Sequence, residues 1–373
     1  MTLGYLTSEL VRKPSVSMEP FLNVQGIRDT STFIVQWLRE NGVDAKVVEL
    51  EKGWPSVIAG EDKPRILLLG HFDVVPAGDE RRWAFPPFSG EIYDGKVFGR
   101  GSNDMKGGVA VFMQLMTKYP GIGMFLSPDE EIGSLHSTLI YSKMMSPEIV
   151  LVSEPSGSAN LVVGEKGMII ARVKGDGVSV HGSLPWRGKN AVDDVLDKVT
   201  RIYNFLKENE PEVPTELKEV YHNTCLLFGE YSRKITVNLG VIEGGRVPTM
   251  VPDSSFAELD IRLPHGTPKG IVEKLKEWCE IKFVTYPNYY MGKWMDNFES
   301  SAIKSGISLM KIIDPADNDG RLFRERGIPS LCYGPGSEFN SHVYNEYVEI
   351  KELERVSSVY STFLDGALHE LEI

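Results

Sequence analysis

Between Arg65 and Asp79 the chain reads "RILLLGHFDVVPAGD": an apolar run from Ile66 to Leu69, then Gly70, His71 and, two residues on, Asp73. A short apolar run with turn-formers behind it predicts a strand buried on both faces, as in a parallel sheet covered by helices. Side chains alternate along a strand, so His71 and Asp73 are expected on one side of its carboxyl end, where open α/β sheets bind ligands. "AKVVEL", "SVIAG", "GIGMFLSP" and "PEIVLVSEP" predict further strands. An amphipathic helix is expected from Gly26 to Asn41, and another opens near Met105 in "MKGGVAVFMQLMTKY". The alternation predicts an α/β fold with a mostly parallel central sheet flanked by helices.

After Gly164 the texture changes. "GMIIARVKGDGV" reads as an exposed edge strand, and "NAVDDVLDKVTRIYNFLKE" as a helix with Val192, Val195, Leu196, Val199 and Tyr203 on one stripe. "KITVNLGVIEGG" and "SSFAELDIRLP" predict two strands, the second with Ala257, Leu259 and Ile261 on its dry face. "TPKGIVEKLKEWCE" predicts a helix capped by Thr267, and "IKFVTY" a last strand. The order β-α-β-β-α-β is that of a ferredoxin-like α+β unit. Residues 166–288 are therefore expected to be a small domain inserted into a discontinuous one made of 1–165 and 289–373.

Composition narrows the function. Forty basic against fifty-two acidic residues leave a net charge of −12, which argues against nucleic acid or an anionic membrane as partner. No stretch approaches the ~18 apolar residues of a membrane span, and "MTLGYLTSELVRKPSV" lacks the marks of a secretion signal, so a cytoplasmic protein is expected. Three unpatterned cysteines, Cys225, Cys279 and Cys332, suggest neither a disulfide framework nor a thiolate zinc site. Any metal must rely on histidine and carboxylates.

Five stretches carry such groups: "GHFD" (His71, Asp73), "GRGSNDMKGG" (Asp104), "PDEEIG" (Glu130, Glu131), "SEPS" (Glu154) and "NSHVYNE" (His342). Taken singly each has an ordinary explanation, such as a helix cap for Asp104 or a solvated loop for the paired glutamates. Each, however, lies just after a predicted buried strand or in the loop beyond one, so all can converge at one edge of one sheet. Two histidines and four carboxylates without cysteine suit zinc, or cobalt or manganese in the same geometry. Asp73, two residues from His71, could hold the imidazole's other ring nitrogen. Glu130 and Glu131 lie between Pro128 and Gly133 in a loop, which lets one ligate while the other faces a bound water as general base.

Together these stretches resemble the co-catalytic metallopeptidase family that includes succinyl-diaminopimelate desuccinylase, acetylornithine deacetylase, aminoacylase and glutamate carboxypeptidase. "GHFDVVP", "W...PFSGEIYDGKVFGRGSNDMKGG", "DEEIGS", "EPS" and the late "H...NEYV" occur in that family's order and approximate spacing. The resemblance implies a catalytic domain holding two divalent ions: Asp104 bridging, His71 and Glu154 completing one site, Glu131 and His342 the other. It implies Glu130 as the general base, a cis peptide after Asp104, and residues 166–288 as a lid and homodimer surface. Through "VHGSLPWRGKNAV" it gives His181 the role of polarising the scissile carbonyl in a neighbouring subunit, and it makes Arg262 an anchor for a substrate carboxylate. Thr249 stands where the family often has asparagine, which leaves open the substrate group it meets.

The expected reaction is hydrolysis of the amide of an N-acyl amino acid, such as N-succinyl-diaminopimelate or N-acetylornithine, by a hydroxide bridging two Zn²⁺ ions (or Co²⁺ or Mn²⁺). Lys166, Arg187, Arg262 and Arg321 are available to bind substrate carboxylates. A dipeptidase or carboxypeptidase acting on short peptides is the close alternative, and a non-catalytic metal-binding scaffold the remote one.

Overall fold

The apolar runs of the first part of the chain form strands β1 (Ala45–Glu49), β2 (Pro55–Gly60), β3 (Ile66–His71), β4 (Gly123–Ser127), β5 (Ile149–Val152) and β6 (Asn160–Glu165). The structure is a computed structural model describing residues 1–371, and it divides into two compact units. The first comprises Met1–Val163, Tyr290–Lys311 and residues from 318 onward; the second comprises Gly164–Tyr289 and Ile312–Asp317.

In the first unit the sheet order is β1-β2-β4-β3-β5, then the strand Ser330–Cys332, then β6. The inner strands β4, β3, β5 and Ser330–Cys332 pair in parallel, while β1, β2 and β6 pair antiparallel at the flanks. The continuous apolar run explains the central position of β3: every residue from Ile66 to His71 is buried, as a strand covered on both faces requires. Helices Val24–Glu40, Gly107–Met116 and Ile350–Leu371 flank the sheet with apolar faces that include Ile34, Phe112 and Phe363. Among the described residues no helix is long and apolar enough to cross a membrane.

The second unit is built on four antiparallel strands, β7 (Gly167–Asp176), β8 (Thr236–Gly244), β9 (Ser254–Leu263) and β10 (Glu280–Val284), in the order β8-β9-β7-β10. Its core joins Ile169, Ala171 and Val173 of β7 to Ala257, Leu259 and Ile261 of β9 and to the helix Ala191–Glu208. Three local expectations are corrected here. β7 is an inner strand with partners on both sides rather than an edge strand. Its alternating burial arises because one face of the sheet carries the core and the other does not.

The helix Ala191–Glu208 buries Ala191, Val195, Val199, Ile202 and Leu206, whereas Leu196 and Tyr203 are exposed. The true stripe is rotated toward Ile202 and Leu206, which share the i, i+3/i+4 face of Val195 and Val199. The helix expected to begin at Thr267 begins instead at Ile271 and ends at Leu275. Gly270 precedes it with φ 92°, a left-handed conformation that interrupts any helix started earlier.

Candidate metal centre

Parallel pairing of β4, β3 and β5 brings their carboxyl ends to one edge of the sheet. His71 is the last residue of β3, Glu130 and Glu131 occupy a short turn shortly after β4, and Glu154 follows β5. Asp104 sits in the turn Ser102–Lys106 ahead of the helix Gly107–Met116, and its peptide bond to Met105 is cis. His342 comes from the loop beyond Ser330–Cys332, with φ 60°, a left-handed conformation unusual for a residue with a side chain.

His71, Glu154, His342 and Glu131 meet around Asp104. Its Oδ1 lies 3.1 Å from His71 Nε2, and its Oδ2 lies 3.2 Å from His342 Nε2. His71 Nε2 is also 3.3 Å from Glu154 Oε1, while His342 Nε2 is 3.1 Å from Glu131 Oε2. One ligand atom each from His71, Asp104 and Glu131 fall within 4.8 Å of one another. Ligands held at ~2.0–2.2 Å from a tetrahedral ion are separated by roughly 3.3–3.6 Å, so the observed spacings are close to those of a nitrogen-and-oxygen coordination shell. The donor set, two imidazoles and three carboxylates without sulfur, fits a borderline divalent ion such as zinc.

The electrostatics follow from burial. Desolvation pushes the Glu154 carboxyl up to about 8 and raises Glu131 and Glu130 above the usual carboxylate range. Burial acts the same way on Asp104, but the hydrogen-bonded His342 and His71 outweigh it and hold Asp104 well below the ordinary value. His342 is pushed up to about 11 by Asp104 and Glu131. Burial opposes charge on His71, yet Glu154, Asp104 and Asp73 around it win and raise it. So many acids crowded into a dry site suit a positively charged occupant.

Two further carboxylates brace the turn that carries Glu130 and Glu131. Asp73 is fully buried and accepts from Glu130 N (3.1 Å), Glu131 N (3.2 Å) and Ser17 Oγ (2.7 Å). His71 Nδ1 is nearest to the main-chain carbonyl of Asp73, at 3.0 Å, with the carboxylate 3.4 Å away. The Asp73 side chain therefore holds the glutamate turn more closely than it holds the imidazole. Asp319, also buried, accepts from Ser134, just after the same turn, and from Thr138 at the start of the helix Thr138–Met144. No motif in "DPADNDGRLF" singled out Asp319, and Glu346, within the quoted "NSHVYNE", carried no assigned role.

The other expected site residues are placed as follows. Arg321 lies in the first unit, nearly buried, 3.5 Å from Glu325. Lys166, His181, Arg187, Thr249 and Arg262 belong to the second unit. Lys166 is buried and donates to the carbonyl of Lys234 at 2.8 Å, and Arg262 forks onto Asp260 at 2.8 and 3.0 Å. His181, Arg187 and Thr249 are exposed, and His181 Nδ1 contacts Ser183 Oγ at 2.7 Å.

A model of peptidase family M20/M25/M40 matches residues 67–366, a span that includes Asp104 and the four donors around it. The chain belongs to this family. It is a hydrolytic metallopeptidase that uses divalent metal. A probable carboxypeptidase from Aspergillus terreus is 28% identical over 338 residues, covering 82% of this chain and 71% of the relative. A probable succinyl-diaminopimelate desuccinylase from Staphylococcus aureus is 25% identical over 258 residues, 63% of this chain and 62% of the relative. The fold superposes on an M20 family metallo-carboxypeptidase from Sulfolobus solfataricus with a TM-score of 0.80 at 22% identity, covering 97% of this chain and 98% of that one. It also superposes on a dipeptidase from Saccharomyces cerevisiae at 0.73 and 16%, covering 97% and 95%. The mixed α/β fold of this chain is thus shared with these solved structures.

Proposed function

We propose that this M20 peptidase hydrolyses the amide bond that joins an acyl or peptidyl group to a free amino acid, using two divalent ions, zinc first among them. The supporting observation is the division of Asp104: one oxygen faces His71 and Glu154, the other His342 and Glu131. A carboxylate flanked by two separate nitrogen-and-oxygen pairs suits two ions better than one. His71 and Glu154 would hold one ion, Glu131 and His342 the other, and Asp104 both. Bound ions of this kind supply Lewis acidity, which acidifies water and polarises a carbonyl.

Glu130 is the carboxylate available for proton transfer. Unlike Glu131, its side chain makes no hydrogen bond or ion pair among the described residues, while its main-chain N–H is tied to Asp73. It takes the proton from the attacking water and returns it to the leaving nitrogen. His181 is suited to the carbonyl oxygen of the substrate: Ser183 N donates to its Nδ1 at 3.2 Å, so the neutral ring carries its proton on Nε2. In this reading the second unit forms the homodimer surface and acts as the lid of a cytoplasmic enzyme. Arg262, with Lys166, Arg187, Arg321 and Thr249, provides donors for the substrate carboxylate and its neighbours.

Relatives spanning most of the chain are named probable carboxypeptidases, which favours short peptides with a free C-terminus as a second substrate class beside N-acyl amino acids such as N-succinyl-diaminopimelate. A panel of N-acyl amino acids and C-terminal dipeptides, assayed with Zn²⁺, Co²⁺ and Mn²⁺, separates the two. Glu130→Ala is expected to retain two equivalents of metal and lose at least ~100-fold in turnover. Near-normal turnover in that variant would remove Glu130 from the reaction.

A further inference from the structure

Among Asp104 and the four donors around it, His342 is the one with a half-exposed side chain, and it has no helix or strand to hold it. His71 ends a buried strand, Glu154 is buried, and Asp73 ties down the turn of Glu131. What places His342 is found next to Asp104 in sequence. The side-chain amide of Asn103 is fully buried and engages the loop ahead of His342 through three hydrogen bonds. Its Nδ2 donates to Ser337 O (3.1 Å) and to Ser341 Oγ (2.9 Å), and its Oδ1 accepts from Ser337 N (3.0 Å).

The contact is reciprocated on the other side of His342. Glu346 accepts from the main-chain N–H of Asn103 (2.9 Å) and of Asp104 (3.2 Å) through Oε1, and from Arg100 Nη1 (2.6 Å) through Oε2. The segment Asn103-Asp104 thus grips the loop on both sides of His342, once by a side chain reaching out and once by main-chain amides that receive a side chain. The side chains that make the two attachments, Asn103 and Glu346, are themselves buried, where a lost partner leaves a polar group without solvent.

We infer that Asn103 is a positioning residue that sets the spacing of His342 and Asp104, and through it the affinity of the ion held by Glu131 and His342, without touching that ion. The inference rests on the two-ion reading above. Asn103 makes no hydrogen bond to His71 or Glu154 among the described residues, so the ion on that side depends on it less. Partners that orient metal ligands in this way typically change metal affinity by 10- to 100-fold.

The test is a Co²⁺ titration of metal-stripped full-length protein, followed by visible absorption and calorimetry, on the wild type, Asn103→Ala, Ser341→Ala and His342→Ala. The wild type is expected to bind two equivalents. Asn103→Ala should weaken one equivalent by about 10- to 100-fold, leave the other within about threefold, and alter the Co²⁺ absorption assigned by its loss in His342→Ala. Ser341→Ala, which keeps two of the three bonds to Asn103, should shift the same equivalent by less, and it carries the test where Asn103→Ala does not fold. Adding Asn103→Ala to His342→Ala should change metal affinity no further. Equal weakening of both equivalents would overturn the inference, as would two unchanged equivalents in Asn103→Ala. A wild type that binds a single equivalent would refute the two-ion reading itself, and the inference with it.

Discussion

Replacing Asp73 by asparagine tests which neighbour its carboxylate serves. In the native protein both oxygens accept from the glutamate turn: Oδ1 from Glu130 N, and Oδ2 from Glu131 N and Ser17 Oγ. Asparagine has one acceptor oxygen, so either amide orientation sets an NH₂ against one of two partly buried main-chain donors. The amide still served loses the assistance of a charge, a change of about 1 kcal/mol. The other is left without an acceptor, at about 1–3 kcal/mol. Asp73→Asn is therefore expected to destabilise the metal-stripped protein by about 2–4 kcal/mol in urea unfolding.

The chief ligand contact of His71 Nδ1 is the Asp73 carbonyl, which the substitution leaves in place. Metal binding should then suffer mainly at the ion held by Glu131, with turnover falling because Glu130 shares the loosened turn. Urea unfolding and Co²⁺ titration of the same preparations read both effects. Loss of stability below about 0.5 kcal/mol, or selective weakening of the ion on the His71 side, would refute this account of Asp73.

Leu68 lies at the centre of β3 with no exposure, so Leu68→Ala is expected to cost about 2–5 kcal/mol, read by urea unfolding. Burial, followed by repulsion from Arg262, lowers the Lys166 ammonium to about 8. Between that value and the ~10.4 of an unfolded lysine, the unfolded chain binds more protons. The contribution of Lys166 to stability is therefore least favourable below about pH 8 and improves as pH rises toward ~10.4. A melting-temperature profile over this window should rise for the wild type relative to Lys166→Met, and parallel profiles would show that Lys166 does not titrate there.

Much of the centre could be read along the chain because His71, Glu131 and Glu154 follow apolar runs that predict strands. The run Ile66 to Leu69 placed His71 at the end of a buried strand, and the Pro128–Gly133 bracket placed Glu130 and Glu131 in a turn. Reading failed where local pattern was ambiguous. An alternating strand such as β7 looks the same at a sheet edge as in the middle of a sheet with one open face, and only its partners β9 and β10 decide between them. In the helix Ala191–Glu208 several apolar stripes were available, and packing on β7 and β9 selected the one through Ile202 and Leu206. Gly270 stopped a helix that its neighbours favoured.

By itself, then, the order of residues determined the elements, the dry faces and the set of groups with metal chemistry, because periodicity and burial are properties of short segments. The tertiary structure alone decided which of those groups touch. His342 meets Glu131 across 211 residues, and Glu346 meets the amide of Asn103 across 243. Asp73 and Asp319 became braces of one turn by the same long-range packing. Such contacts depend on how whole strands and loops stack, and a hydrogen bond a few ångströms long has no counterpart in the spacing of residues along the chain.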